Sequence, residues 1–352
     1  MMSTFSKAIF TFLLILAFSS QVFSAEDLTP ESKRQVVTEV SERLVQEYVL
    51  PDVGQAMAQA LMTRLESGHY DDVTNSEQFT ERLTEDMVEV SNDQHLFIFY
   101  MEGDLPTEEE MMNPTQEMQE QNLRFLQYDN YAIREVSWLD GNIGYLELAA
   151  FVDAEPAKRA IGNAMDLFQH TGGLIIDLRQ NGGGMPETVA LLASYFLGPE
   201  SVHVDSIYWR KTDTTEEFWT STDLDGAWYG TTRPVYILTS EATFSAAEAF
   251  SYAMQVNNRA TIVGETTRGG AHPGAIARIG DHYHMFISNG RAFSAVTGEN
   301  WEGTGVIPDH SESADAALNT AHKLILKDVI DQTESPMARQ DREMQLRRLE
   351  TE

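Results

Sequence analysis

GGLIIDLRQNGGGMPE, residues 172–187, decides the fold. Four apolar residues from Leu174 to Leu178, broken only by Asp177, read as a strand buried on both faces. Three consecutive glycines, Gly182, Gly183 and Gly184, then deliver the chain to Pro186, a residue suited to the first turn of a helix. A strand, a glycine turn and a helix make half of a parallel crossover unit. Glycine lets the backbone turn tightly and lets a ligand approach closely. The N–H groups at a helix start favour negative charge, so the loop reads either as an oxyanion site or as a plain strand–helix turn.

The same alternation extends outward. NIGYLELAAF (142–151), PVYILTS (234–240) and ATIVGE (260–265) read as strands. PAKRAIGNAMDLFQHT, PETVALLASYFLG and SAAEAFSYAMQ (245–255) read as helices, and 281–296 as paired strands. This predicts an α/β domain over 126–332 with a largely parallel sheet. Upstream, 25–102 predicts a helical domain. Thr29 is a good N-cap before Pro30, and Val36, Val37, Val40 and Leu44 follow a helical stripe. Met57 and Leu61, then Phe79, Leu83 and Met87, form two more stripes, and LFIFY (96–100) reads as a strand. Residues 103–125 read as an acidic linker, and 333–352 as a charged tail, helical or frayed.

The chain has 352 residues, with 24 Lys and Arg against 55 Asp and Glu, a formal charge of −31. That surplus leaves nothing to neutralise phosphates, so nucleic acid and anionic lipid are not expected partners. With no cysteine, disulfides, thiolate zinc sites and a cysteine nucleophile are excluded. AIFTFLLILAF (8–18) follows Lys7, and Val22 and Ser24 precede Ala25, which predicts a signal peptide over 1–24. The mature protein is then expected to be exported, periplasmic or secreted, without stable membrane insertion.

TSEATFSAAEAF (239–250) is another buried strand, a polar loop and a helix start. Ser245 reads there as an ordinary N-cap or as a nucleophile set on a helix N-terminus, with the Ala246 amide aimed at the same point. The absence of G-x-S-x-G argues against an α/β-hydrolase, and neither a nucleotide loop nor H-E-x-x-H occurs. His95, in SNDQHLFIFY, and His272, in TTRGGAHPG, are the candidate bases. His282 and His284 share a strand face, and His69, His170, His203, His310 and His322 read as surface residues.

LIIDLRQNGGG, TSEATFSAAEAF, IVGETTRGGAHPG and WEGTGVIPDH, in this order, resemble the tail-specific (C-terminal processing) serine protease family. The branch most alike is that of tricorn protease and the bacterial relatives of interphotoreceptor retinoid-binding protein. The resemblance implies a ClpP/crotonase-like α/β core with an N-terminal helical domain. It implies Ser245 as nucleophile and an oxyanion hole at Gly183, Gly184 and Ala246. The Ser–Lys plan of many members is disfavoured, because Gly270 holds the lysine position and Arg268 stays protonated. The tricorn plan maps the base to His95 and its orienting carboxylate to Glu302, so the site would straddle both domains. Gln94 stands where tricorn has a helper serine. His272 and Gly270 are possible substrate contacts, or His272 a rival base. No metal or cofactor is implied, and the substrate is a peptide or unfolded protein. A hydrophobic-ligand carrier on the same scaffold is the main alternative; a crotonase-like acyl-CoA enzyme and an inactive scaffold protein are others.

Overall fold

The computed structural model describes residues 28–102, 110 and 113–351, so the signal peptide read at 1–24 lies outside the described residues. The chain divides into two compact units that interleave along the sequence. Each has its own architecture.

The first unit takes the described residues up to Met118, with Ile207–Glu216 and Gly270–Ala292. Three helices lead it: α1 (Pro30–Glu47), α2 (Pro51–Glu66) and α3 (Ser76–Ser91). Thr29 caps α1 by accepting the Ser32 N–H at 3.1 Å, and Asn75 caps α3 by accepting that of Gln78 at 2.9 Å. The expected stripes are the buried faces: Val37, Val40, Leu44, Met57, Leu61, Phe79, Leu83 and Met87 form one core. That core is closed by an antiparallel sheet in which β1 (Phe97–Tyr100) pairs with β10 (Tyr283–Ser288), and β10 with β9 (Gly274–Ile279). Ile98, Met285, Ile287, Ala277 and Ile279 face the helices, as strand alternation requires. The sequence placed paired strands at 281–296. The hairpin lies earlier, β9 to β10, because Gly280 (φ 60°) makes the turn. Val49 N–H donates to Ser288 O at 2.8 Å, tying the helices to β10.

The second unit takes Gln119–Ser206, Glu217–Gly269 and Phe293 onward. It opens with α4 (Gln116–Tyr128), which begins inside the acidic stretch, and holds a six-stranded sheet in the order β12-β8-β7-β4-β3-β2. Here β2 is Ile133–Leu139, β3 Ile143–Leu148, β4 Gly173–Asp177, β7 Val235–Thr239, β8 Thr261–Gly264 and β12 His310–Ser311. Neighbours from β3 to β12 run parallel, and only edge strand β2 is antiparallel. The crossovers use α5 (Ala154–Leu167), α6 (Pro186–Ala193) and α7 (Ala246–Val256). Alternate residues Tyr145, Ile175, Leu238 and Val263 pack on α8 (Ala314–Asp331) through Ala317, Ala321, Ile325 and Val329. The tail is α9 (Pro336–Thr351), not frayed: Leu349 joins that core and Arg342 Nε donates to Gly141 O at 3.0 Å. His322 is buried on α8, not on the surface as its sequence suggested, and its Nε2 lies 2.8 Å from Asp140 O. A further sheet runs β11-β5-β6, where β5 is His203–Trp209, β6 Thr214–Trp219 and β11 Gly290–Ser294.

Candidate active site

In the second unit, β7 ends at Thr239 and α7 begins at Ala246. Ser245 between them has φ 54° and ψ −119°. Those are the angles of the first central residue of a type II′ turn, a place glycine usually takes. A serine held there costs on the order of 1–3 kcal/mol, so the surroundings must over-determine it. They do. The Ser245 N–H donates to Glu248 Oε2 at 2.7 Å. Phe244 N–H donates to Asn181 O at 3.0 Å, and Thr243 Oγ1 to Leu178 O at 2.8 Å. Ser240 Oγ donates to Arg179 O at 2.6 Å. The serine loop is thus clamped to the end of β4. Asp177 and Arg179 fix that end through an ion pair at 2.5 Å, with Arg179 Nη1 donating to Ala314 O at 2.6 Å. Ser245 itself stays half-buried while the first six residues of the helix behind it, Ala246 to Ser251, are buried.

The glycine loop lies against this serine. A Cβ on Gly183 (φ 111°) would sit 2.7 Å from Ser245 Cβ and 3.1 Å from Ala246 N. One on Gly184 (φ 144°) would sit 2.0 Å from Phe151 O. Both positions therefore require glycine for space as well as for backbone angle. Asn181, fully buried, shapes the loop: its Nδ2 donates to Leu148 O at 2.8 Å and its Oδ1 accepts the Gly183 N–H at 2.9 Å. Gly183 N–H is thereby occupied. Among the described residues, the N–H groups of Gly184 and Ala246 donate to no oxygen. Sequence reasoning assigned Asn181 no role; the Asn before a glycine run was the available signal.

Glu248, one turn into α7, is fully buried and serves more than the cap. Its Oε1 accepts from Thr267 Oγ1 at 2.5 Å and from Gly269 N–H at 2.7 Å. Thr267 Oγ1 in turn accepts the Val306 N–H at 2.7 Å, and Gly303 N–H donates to Gly269 O at 2.9 Å. Gly305 (φ 71°) allows this approach, since a Cβ there would lie 2.2 Å from Thr267 O. One carboxylate thus connects the serine backbone to the 301–306 loop that carries Glu302. The Glu302 N–H donates to Asn300 Oδ1 at 3.1 Å. Arg268, next to Thr267, lies over the Phe244 ring at 5.2 Å.

His95 and His272 belong to the first unit, where they share a carboxylate. Asn92, in the left-handed conformation, ends α3 and turns the chain so that Asp93 and His95 both point inward. Asp93 Oδ1 accepts the His95 backbone N–H at 2.9 Å and lies 3.9 Å from its Nδ1. Asp93 Oδ2 accepts from the Tyr48 hydroxyl at 3.0 Å and lies 3.6 Å from His272 Nδ1. Burial opposes charge on Asp93, yet the neighbouring His272 and His95 imidazoles hold its carboxyl below the usual range. The His95 ring stacks on Phe286, with centroids 6.0 Å apart. His284 stacks on Phe99, and burial, with Arg278 and His282 nearby, pushes its imidazole down to about 4. Gly270 precedes Ala271, whose carbonyl accepts the Ala292 N–H at 2.9 Å. Tyr48 and Asp93 were not singled out in the sequence.

A profile of peptidase family S41 matches residues 142–311, and one for the N-terminal domain of peptidase S41 in eukaryotic IRBP matches residues 28–135. The chain belongs to peptidase family S41. Among S41 relatives, the carboxyl-terminal-processing protease of Synechocystis sp. is 33% identical over 130 residues, 36% of this chain and 28% of that protein. This chain therefore spans under a third of that relative's length. Among solved structures, mature CPAF superposes with a TM-score of 0.57 at 12% identity, covering 86% of this chain and 99% of that one. A lipoprotein from Streptococcus agalactiae gives 0.53 at 17% identity, covering 87% and 99%. At such identities the likeness is one of fold: a mixed α/β core with a helical N-terminal region. Among the described residues no helix is long and apolar enough to cross a membrane.

Proposed function

We propose that this S41 chain is a serine-type peptidase that hydrolyses peptide bonds through a seryl acyl-enzyme. The observation that carries this is the strained Ser245 at the start of α7, with Ala246 N–H and the glycine loop beside it. Ser245 Oγ attacks the scissile carbonyl. His95 takes its proton as general base and returns it to the leaving amine. Glu302 orients the imidazole and stabilises its charged form. The developing oxyanion is received by the Gly184 and Ala246 amides, each good donor being worth roughly 3–4 kcal/mol, while Gly183 leaves the space. His272 and Gly270 line the approach of the substrate, a peptide or loosely folded protein segment lying as an added strand. The leader 1–24 directs export to the periplasm or beyond, and the acidic surface disfavours acidic substrates, most strongly at low salt.

The test uses the full chain on an unfolded protein substrate. Wild type cleaves it, with activity rising through a midpoint near the ordinary histidine value of about 6.5. Ser245→Ala and His95→Ala abolish cleavage. A Ser245→Ala protein with full activity rules the mechanism out, and a rise only in the lysine range rules out His95.

A further inference from the structure

The tricorn-like plan assigns orientation of the base to Glu302, which lies far along the chain. Within the first unit, however, His95 already has a buried carboxylate two residues away. Asp93 is fully buried, and both its oxygens are committed: Oδ1 to the His95 backbone N–H at 2.9 Å, Oδ2 to the Tyr48 hydroxyl at 3.0 Å, with His272 Nδ1 at 3.6 Å. Three different segments meet there: the end of α1, the loop after α3, and the loop before β9. A buried carboxylate costs several kcal/mol unless paired and hydrogen-bonded. An apolar residue would fill the same space without that cost, so the fold retains the charge against a penalty.

We propose that Asp93, braced by Tyr48 and His272, is a positioning residue for His95: it fixes where the base leaves the chain and sets the negative field that its ring feels. This rests on His95 being the base. The Asp93 carboxylate, 3.9 Å from Nδ1, acts through space rather than by a direct hydrogen bond. The His95 ring lies beside the Asp93 carboxylate and stacks on the uncharged Phe286, and the same carboxylate accepts from the Tyr48 hydroxyl and faces His272. A nearby negative charge favours the imidazolium. Replacing Asp93 by the neutral, isosteric Asn therefore lowers the pH at which His95 becomes a free base. Removing the Tyr48 hydroxyl leaves the charge less dispersed and moves that pH the other way.

The experiment follows the rate at which a fluorophosphonate labels Ser245, as a function of pH, in the full chain. Asp93→Asn keeps a folded circular dichroism spectrum, its midpoint falls by about one pH unit, and its labelling rate falls at every pH above that. Tyr48→Phe raises the midpoint by a smaller amount. A folded Asp93→Asn protein with the wild-type midpoint overturns the proposal, since a purely structural aspartate would change amplitude alone. Should Asp93→Asn fail to fold, an unmoved midpoint in Tyr48→Phe overturns it, and a raised one supports it. His95→Ala separates the two levels. If it labels at the wild-type rate, the base assignment itself is wrong. If it is inert while Asp93→Asn leaves the midpoint in place, only the role of Asp93 falls.

Discussion

The serine region and the histidine region are built by opposite means. Around Ser245 the contacts are largely made by backbone: positive-φ glycines, N–H groups at a helix start, and carbonyls that accept from Thr243 and Ser240. Around His95 they are made by side chains, with Asp93, Tyr48 and Phe286 drawn from three segments. Backbone sites are written in short contiguous motifs, because glycine and cap residues act locally. Side-chain sites are written in residues far apart in sequence. The two regions should therefore fail differently: the first by loss of space and strain, the second by loss of charge.

The largest expected effects remove the chemistry itself. Ser245→Ala and His95→Ala should each lower kcat/KM on an unfolded protein by about 10⁴-fold or more, with thermal melting little changed. A large loss of stability in either variant would blur the contrast. Next comes Gly183→Ala. Its Cβ would lie 2.7 Å from Ser245 Cβ at φ 111°, so activity should fall by about 10²-fold together with a drop in Tm. Full activity in this variant would mean that the serine loop is not space-limited. Glu248→Gln is third. The amide keeps one acceptor but cannot serve Ser245 N–H, Thr267 and Gly269 alike, so stability should fall by about 1–3 kcal/mol in urea unfolding and kcat by roughly tenfold. Unchanged kcat would show that the serine and the 301–306 loop do not depend on this connection.

The smallest effect concerns Asp205 on β5, which lies outside both regions. Burial, opposed by the backbone N–H groups of Ser206 and Phe293, pushes its carboxyl up to about 7. The folded state thus prefers the neutral acid. The stability this gives is present below 3.8 and is lost as pH rises towards 7. Asp205→Asn should melt a few degrees higher than wild type at pH 8 and show less advantage at pH 4. Equal melting at both would contradict the buried-acid account.

Much of the fold was legible in sequence because it is local. The buried strands at 174–178 and 235–239 lie among glycine turns and caps, and the three N-terminal helices announced themselves by Thr29 and their apolar stripes. What escaped depends on distance. The pairing of β1 with β10 joins residues such as Phe97 and Phe286, and no period within either segment encodes it. The partly polar strands β5 and β6 carry too little alternation to stand out. Gly183, Ser245 and Ala246, which stand in short contiguous motifs, lie against one another in the fold. Asn181, Glu248 and Asp93 act through contacts to loops elsewhere, so their neighbours in sequence say little about them.

The central claim is that Ser245 is an activated nucleophile. Incubation of the full chain with a fluorophosphonate, followed by peptide mass analysis, tests it most directly. A single adduct on the peptide containing Ser245, absent in Ser245→Ala and strongly slowed in His95→Ala, is the expected result. An unlabelled Ser245 in a protein that still cleaves unfolded substrate, or an adduct on another serine that persists in Ser245→Ala, would contradict it.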